Sequence, residues 1–328
     1  MGDCRVCGGV FRTTFNRGHV SYGRCAACRS VNKILTKEEY HSLNPTYDPG
    51  DLIASDAADI LDRLGVKGKI RFLRKLLRGS ALQPEKMKLL DVGCGTGAYL
   101  LAAQALGITG RGVEPSESHS RIGRERFGLD ITTGYLLPQE MSERFDIVIL
   151  SHVIEHIYEP GDFLARLATV LAPGGVLVIV TPNAASPLAM LAGPAWSMLA
   201  PVDHVTLLGP RGLLRIAPPG HSCAWRTDEH IWEPAATVLV ALRNQLRGAS
   251  TDEDQSRNNA VQGEAKTSIL DNGLVRFILS AISAPLWIAF NSLKCGACLV
   301  AEYRKSPATT AQALERKPVG FRPEQASH

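Results

Sequence analysis

Between Leu89 and Gly97 the chain reads Leu-Leu-Asp-Val-Gly-Cys-Gly-Thr-Gly. An apolar strand that runs straight into spaced glycines can leave a sheet in a sharp turn and bring backbone N–H groups up to a ligand at the start of the next helix. The sequence downstream fits such a strand. Apolar runs predict strands near 88–92, 109–114, 129–133, 145–151 and 175–182, and helical periodicity falls between them near 97–106, 116–127 and 160–172. Strands alternating with helices imply a parallel sheet covered on both faces. The 328 residues, 45% apolar and 21% charged, exclude disorder or coiled coil as a description of the whole.

The glycine loop alone leaves the ligand open. Gly93, Gly95 and Ala98 satisfy a dinucleotide fingerprint, and Glu114 ends the second strand nineteen residues after Gly95. A carboxylate there accepts the ribose hydroxyls of a nicotinamide dinucleotide or of S-adenosylmethionine alike. Four stretches in order narrow the choice: Leu89 to Gly97; Gly110-Arg-Gly-Val-Glu-Pro-Ser116; Phe145-Asp-Ile-Val-Ile-Leu-Ser-His-Val-Ile-Glu-His156; and Leu171-Ala-Pro-Gly-Gly-Val-Leu-Val-Ile-Val180. Together they resemble the class I S-adenosylmethionine-dependent methyltransferases, strongly over 86–183 and weakly over 201–217. The resemblance implies a Rossmann-like α/β fold, a doubly wound and mostly parallel seven-stranded sheet closed by a strand at Cys298 to Arg304. It assigns Asp91, Gly93, Gly95 and Gly97 to the methionine end of the cofactor, Glu114 to its ribose, Gly134 and Tyr135 to its adenine, and Ser151 to the strand end beside it. Tyr135 stands where an acidic or small polar residue is usual, so ring packing is expected in place of a hydrogen bond to the exocyclic amine. Asp146 is expected to position its strand.

Methyl transfer from a sulfonium needs donor and acceptor in line more than it needs a strong acid. A hydroxyl acceptor still gains from a base that titrates near neutrality. His152, Glu155 and His156 follow the fourth strand, at the carboxyl edge where such sheets bind ligands. His152 is the leading base candidate and His204 the second. His156 is also a catalytic candidate, with anchoring of the turn as its competing role. The spelling His-x-x-Glu-His matches an inverted zinc-protease motif, which requires a helix where this chain has a strand. The stretch also resembles the Glu-x-x-Glu-His of quinone O-methyltransferases, which looks like a divalent-metal site. His152 in place of the first glutamate weakens the case for Mg²⁺.

Far upstream, Cys4-Arg-Val-Cys7 and Cys25-Ala-Ala-Cys28 form two CxxC pairs seventeen residues apart. That spacing predicts a four-thiolate zinc ribbon, and a filled tetrahedron leaves no position for a substrate water, so the metal is expected to be structural. A short Gly- and Arg-rich segment cannot bury much core and needs a staple. Gly8 follows the first pair but Arg29 the second, which predicts a less regular second knuckle. Phe11, Phe15, Tyr22, Tyr40 and Tyr47 could stack on bases, but no basic run accompanies them and the net charge is only +4. An RNA methyltransferase, or a scaffold that binds the cofactor without turnover, is the alternative. Within the resembled superfamily, such a ribbon resembles a bacterial subgroup acting on small molecules, sugars or lipid-linked glycans. The expected acceptor is a hydroxyl on one of these.

The resulting division is a ribbon over 1–45, a linker and basic amphipathic helix over 46–85, the core over 86–233, a helical insertion or lid over 234–294, the closing strand over 295–305 and a disordered tail over 306–328. The helix sets Arg71, Arg74, Lys75 and Arg78 against Ile70, Leu73, Leu76 and Leu77, which leaves open a peripheral contact with the inner membrane. Leu274 to Leu293 is apolar but broken by Arg276, Pro285 and Asn291, too short a core to span a bilayer. The first twenty residues carry no secretory pattern, so a cytoplasmic location is expected. Cys295 and Cys298 form a third CxxC, read as packing.

Overall fold

The computed structural model describes residues 3–43, 64–78, 83–136, 141–228 and 295–306, together with 61, 292 and 293. The central loop and apolar stretch of the expected insertion, and the tail from 307, lie outside the described residues.

Seven strands form the main sheet: β4 (Lys88–Val92), β5 (Thr109–Glu114), β6 (Ile131–Thr133), β7 (Phe145–Ser151), β8 (Leu171–Pro182), β10 (His221–Asp228) and β11 (Cys298–Lys305), in the order β10-β11-β8-β7-β4-β5-β6. The five from β8 to β6 run parallel, and β11 and β10 close one side antiparallel. This is the Rossmann-like, doubly wound and mostly parallel seven-stranded sheet that the sequence predicts. Both faces of the sheet are covered. Leu90, Val92, Val148, Leu150, Leu177 and Ile179 pack on one side with Leu164 and Leu167 of α5 (Pro160–Leu167). Leu89, Ile147, Ile149, Val176 and Val178 pack on the other with α2 (Val66–Leu76) and α3 (Ala98–Gln104). Strands buried on both faces read as continuous apolar runs, which is why the sequence shows them so plainly. Each fully buried Leu or Ile stabilises the fold by about 1.5–3 kcal/mol before ordering costs.

Local signals set the ends of the elements. Ser116 caps α4 (Glu117–Phe127) by accepting from the His119 N–H, and Gly128 at φ 62° ends it. The strand expected from 175 begins at Leu171, because Leu171 pairs with Phe145 ahead of a register shift. On α2, Val66 and Leu73 are buried while Lys67, Arg71, Arg74 and Lys75 are exposed. No helix among the described residues is long and apolar enough to cross a membrane.

The N-terminal segment builds a second sheet from β1 (Phe11–Arg17), β2 (Val20–Cys25) and β3 (Val31–Lys33), and β9 (Thr206–Leu207) from the distant part of the chain completes it. Val31 pairs with Leu207 and Asn32 with Thr206. Tyr22 and Val31 share a core with Ala184, Ala189, Trp196, Leu199 and Leu207, around α6 (Pro187–Ala192). Cys4, Val6, Cys25 and Cys28 pack into the same cluster as Leu208, Leu213 and Ile216 of the segment around α7 (Pro210–Arg215). The ribbon therefore rests on the part of the chain between β8 and β10. A short helix, α1 (Lys37–Ser42), leaves it with a complete capping box between Thr36 and Glu39.

Candidate cofactor and acceptor site

Strand order reverses between β4 and β7, and a doubly wound sheet opens a crevice at that point. Val92 lies beside Leu150 in the register, so the glycines after β4 and the histidine after β7 emerge side by side. A cavity of about 590 Å³ sits there. From β4, β5 and β6, their following loops and α4 the lining takes Gly93, Gly95, Glu114, Pro115, His119, Gly134, Tyr135 and Leu136; from α1, the loop after β7, α5 and the segment before β9 it takes Tyr40, His41, Leu43, His152, Val153, His156, Ile157, Phe163 and Asp203, and the two groups meet where Val153 lies against Gly93.

The glycine end is shaped for close approach of a ligand. Gly93 turns at φ 69°, where an added Cβ would lie 2.5 Å from a Val153 methyl. At Gly95 (φ 55°) nothing stands within 4 Å of an added Cβ, so the backbone faces open space. Glu114 is buried, and its carboxylate accepts from Gly95 N–H and Ser116 N–H, both at 2.8 Å. The acid thus holds the loop and faces the cavity at once. Three expected residues stand behind the lining. Asp91 is buried and pushed up to about 7 by burial, then by Glu114, against the pull of Lys69. Gly97 starts α3 against Leu129, and Ser151 is a neighbour of Tyr99. Tyr135 is 83% exposed at the rim.

At the other end His152 has φ 57°, a left-handed conformation that costs a non-glycine residue energy and tends to persist at functional positions. Its N–H bond to Val180 O at 2.8 Å fixes the turn. Its Nδ1 lies 3.2 Å from Glu155 Oε1, which leaves Nε2 as the basic nitrogen. Glu155 is fully buried and also accepts from Thr181 Oγ1 at 3.0 Å. Burial opposes its ionisation, but the hydrogen bond from His152 and the neighbouring histidines outweigh that and hold it below the usual carboxylate range.

His156 meets Asp203 at 2.8 Å, an ion pair set by proximity without a linear hydrogen bond. Burial would lower its pKa, but the Asp203 carboxylate wins and raises it. His204, the second base candidate, does not line the cavity: its Nδ1 donates to Met198 O at 2.7 Å, its ring lies edge-on to His156, and burial lowers its pKa. An apolar run after the histidine has drawn it into the wall. Glu155, His156 and His204 bring one potential ligand atom each within 4.8 Å of one another, whereas His152 is not part of that group. Asp146 accepts from Lys88 N–H at 2.8 Å and so ties β7 to the start of β4.

Because the His156 pKa is raised on folding, its pairing stabilises fully below its unfolded value and is lost as pH rises through the folded one. Asp203→Asn is therefore expected to lower Tm most near about pH 6 and least near about pH 9. Thermal scans showing a constant gap would detach the pair from stability.

Sequence reasoning missed Tyr40, His41, Leu43 and Asp203. The Thr36-Lys-Glu-Glu39 capping box could have revealed α1, but nothing local says that it docks on the cavity.

The four N-terminal cysteines close a second site. Sγ atoms of Cys4 and Cys28 lie 3.6 Å apart and those of Cys7 and Cys25 3.5 Å, near the edge of about 3.8 Å that a tetrahedron with 2.3 Å zinc–sulfur bonds requires. All four are free thiols, and they form a metal-capable group. Cys28 is drawn down to about 5 by hydrogen bonding from Cys4, against burial and with help from Ser30. The second knuckle is more regular than the sequence predicts. Arg29 adopts φ 61° and donates to Cys25 O, as Gly8 at φ 69° donates to Cys4 O. Cys298 is a buried residue of β11, and neither it nor Cys295 joins a metal-capable group among the described residues.

Residues 66–217 match the family described as a methyltransferase domain. The chain is 38% identical over 102 residues to a ubiquinone biosynthesis O-methyltransferase of Bradyrhizobium sp. (strain ORS 278), a match covering 30% of this chain and 40% of the relative. It is 36% identical over 106 residues to the protein of the same name from Caulobacter sp. (strain K31), covering 30% and 42%. The chain thus spans about two fifths of the length of these curated relatives. A solved SAM-dependent methyltransferase from Archaeoglobus fulgidus aligns over 76% of this chain and 100% of its own, at 16% identity and TM-score 0.44.

Proposed function

We propose that this chain transfers a methyl group from S-adenosylmethionine to a hydroxyl of a small amphipathic acceptor, with His152 as the base. The observation that carries this reading is the single cavity running from the glycine loop and Glu114 to His152. Asp91, Gly93, Gly95 and Gly97 would hold the methionine end, Glu114 the ribose, Gly134 and Tyr135 the adenine, with Ser151 behind. Bound there, the cofactor would supply an electrophilic methyl group on a sulfonium, with a neutral thioether as the leaving group. His152 Nε2 would take the proton of the acceptor hydroxyl, and the ionised Glu155 would stabilise the imidazolium and fix its orientation. Tyr40, Leu43, Ile157 and Phe163 supply an apolar wall that keeps water from competing.

An apolar wall beside polar His41, His156 and Asp203 suits an acceptor with an apolar body and a hydroxyl head. The names of the curated relatives agree with such a molecule. Ribbon side chains that could grip nucleic acid, Arg5, Arg17, Arg24 and Tyr22, are instead bonded within the chain. Incubating the protein with methyl-tritiated cofactor and a panel of catechols, polyprenylated phenols, free sugars and lipid-linked glycans tests the reading. Label is expected on a phenol or lipid-linked hydroxyl. Transfer to free sugars alone, or to RNA, would remove the amphipathic acceptor.

The ribbon metal we assign is Zn²⁺, held by Cys4, Cys7, Cys25 and Cys28 in a structural role. Cys28→Ser is expected to lose the metal and about 3 kcal/mol of stability, roughly 6–12 °C in Tm. Metal analysis with thermal scans checks this, and a variant that keeps both its zinc and its Tm would remove the assignment.

A further inference from the structure

Side chains of the ribbon are bonded to backbone carbonyls of the segment between β8 and β9. Arg17 donates to Pro194 O and Trp196 O at 3.1 and 2.8 Å, Tyr22 to Leu199 O at 3.0 Å, Arg24 to Ala184 O at 2.7 Å and Lys33 to Val202 O at 2.7 Å. Lys33 thereby also reaches the residue next to the cavity-lining Asp203; Arg5 differs from all of these in starting inside the metal knuckle and in joining two elements at once. It lies inside the first metal knuckle, between Cys4 and Cys7, and its backbone N–H donates to Asn32 Oδ1 at 2.9 Å. Its Nη1 donates to Lys33 O at 2.9 Å and its Nη2 to Val205 O at 2.6 Å, two residues beyond the cavity-lining Asp203. The same guanidinium covers the Tyr158 ring at 4.4 Å. Tyr158 packs at 5.2 Å on Tyr40, another residue of the cavity wall, and donates at 3.3 Å to Leu35 O just ahead of α1.

One planar fork thus reaches two walls of the acceptor end. A guanidinium can bond two carbonyls in its plane while an aromatic ring occupies its face, whereas an ammonium is a point charge with no face to stack. Bonds of this kind are charge-assisted and lie partly out of water, where they are stronger than at a surface. None of the ribbon contacts described reaches Gly93, Gly95 or Glu114 at the cofactor end.

We propose that Arg5 is a positioning residue for the acceptor: it transmits the geometry of the metal knuckle to the Asp203 wall through Val205 and to the Tyr40 wall through Tyr158. The ribbon is then part of the active site's construction and not an appended binding module. This rests on the reading that the His152 end takes an acceptor.

The test uses the full chain as wild type, Arg5→Met and Arg5→Lys, with zinc content measured for each. Arg5→Met is expected to speed amide hydrogen exchange at 203–207 and 35–43 by about tenfold, because the one side chain that braces both segments is removed while the β3–β9 pairing and the Lys33 bond to Val202 O remain. Zinc content, exchange in β4 and β7, and calorimetric affinity for S-adenosylhomocysteine should stay within about twofold of wild type. Arg5→Lys is expected to recover less than about half of the lost protection. With the hydroxyl acceptor found in the panel above, KM should rise about tenfold in Arg5→Met while kcat changes less than about threefold. Unchanged exchange at 203–207, uniform acceleration across the chain, loss of zinc from Arg5→Met, or full recovery by lysine would each overturn the proposal. Failure of wild type to bind S-adenosylhomocysteine would instead overturn the methyltransferase reading, while the exchange experiment would still decide the role of Arg5.

Discussion

Glu114→Ala is expected to weaken S-adenosylhomocysteine binding by about 1–3 kcal/mol, roughly 5- to 150-fold, as read by calorimetry. Two losses combine. A carboxylate that can accept the ribose hydroxyls disappears, and the Gly95 and Ser116 N–H groups that it holds at 2.8 Å lose their acceptor. The second loss loosens the glycine loop itself. Glu114→Gln separates the two effects, because a carboxamide presents only one oxygen and must turn its NH₂ toward one of those N–H donors. It should therefore fall between wild type and alanine. An alanine variant that binds with unchanged affinity would remove Glu114 from the cofactor site and, with it, the main anchor of the functional reading.

His152→Gly is expected to lower kcat for methyl transfer by about 10²- to 10⁴-fold, the usual range for a lost general base. Glycine is the informative substitution, since position 152 sits at φ 57°, where glycine carries no strain, and that relief offsets part of the stability lost when the buried Glu155 loses its histidine partner. Affinity for S-adenosylhomocysteine should change little. The wild-type rate is expected to climb with pH as the imidazole loses its proton and then level. In the glycine variant the climb should move to the pKa of the acceptor hydroxyl, because hydroxide must then do the work. Glu155→Gln should give a smaller loss: Glu155 is ionised across the neutral range, and its role is to orient His152 and stabilise its charged form. A glycine variant with undiminished kcat would leave alignment of donor and acceptor as the whole of catalysis.

The two ends of the cavity differ in how far the sequence discloses them. At the cofactor end, Gly93, Gly95, Glu114 and Gly134 follow within a few residues of strands that the sequence marks clearly, and strand order then forces them together. At the acceptor end His152, Val153, His156 and Ile157 share that advantage. Tyr40 and His41 come from a helix of six residues, and their position depends on β3 pairing with β9 across the chain. Asp203 is adjacent to the histidine that attracted attention, yet it is the aspartate that faces the cavity and pairs with His156, while His204 turns its ring into the wall. Neighbours in a loop diverge according to which side is packed, and no local pattern encodes that.

The main sheet follows from the sequence because its central strands β4, β7 and β8 are largely buried on both faces and the turns after β4 and β5 carry their own glycines or cap, so local chemistry and global architecture agree there. The four thiols announce a shared metal for a similar reason: sulfur spacing within each knuckle is a short-range property. What the tertiary structure alone decided is where the ribbon goes. It docks through arginines, a lysine and a tyrosine bonded to backbone carbonyls, and every residue offers such a carbonyl, so the sequence carries no mark of the partner. Side-chain-to-carbonyl contacts between segments nearly two hundred residues apart are fixed only when the chain has folded, and they make the acceptor end what it is.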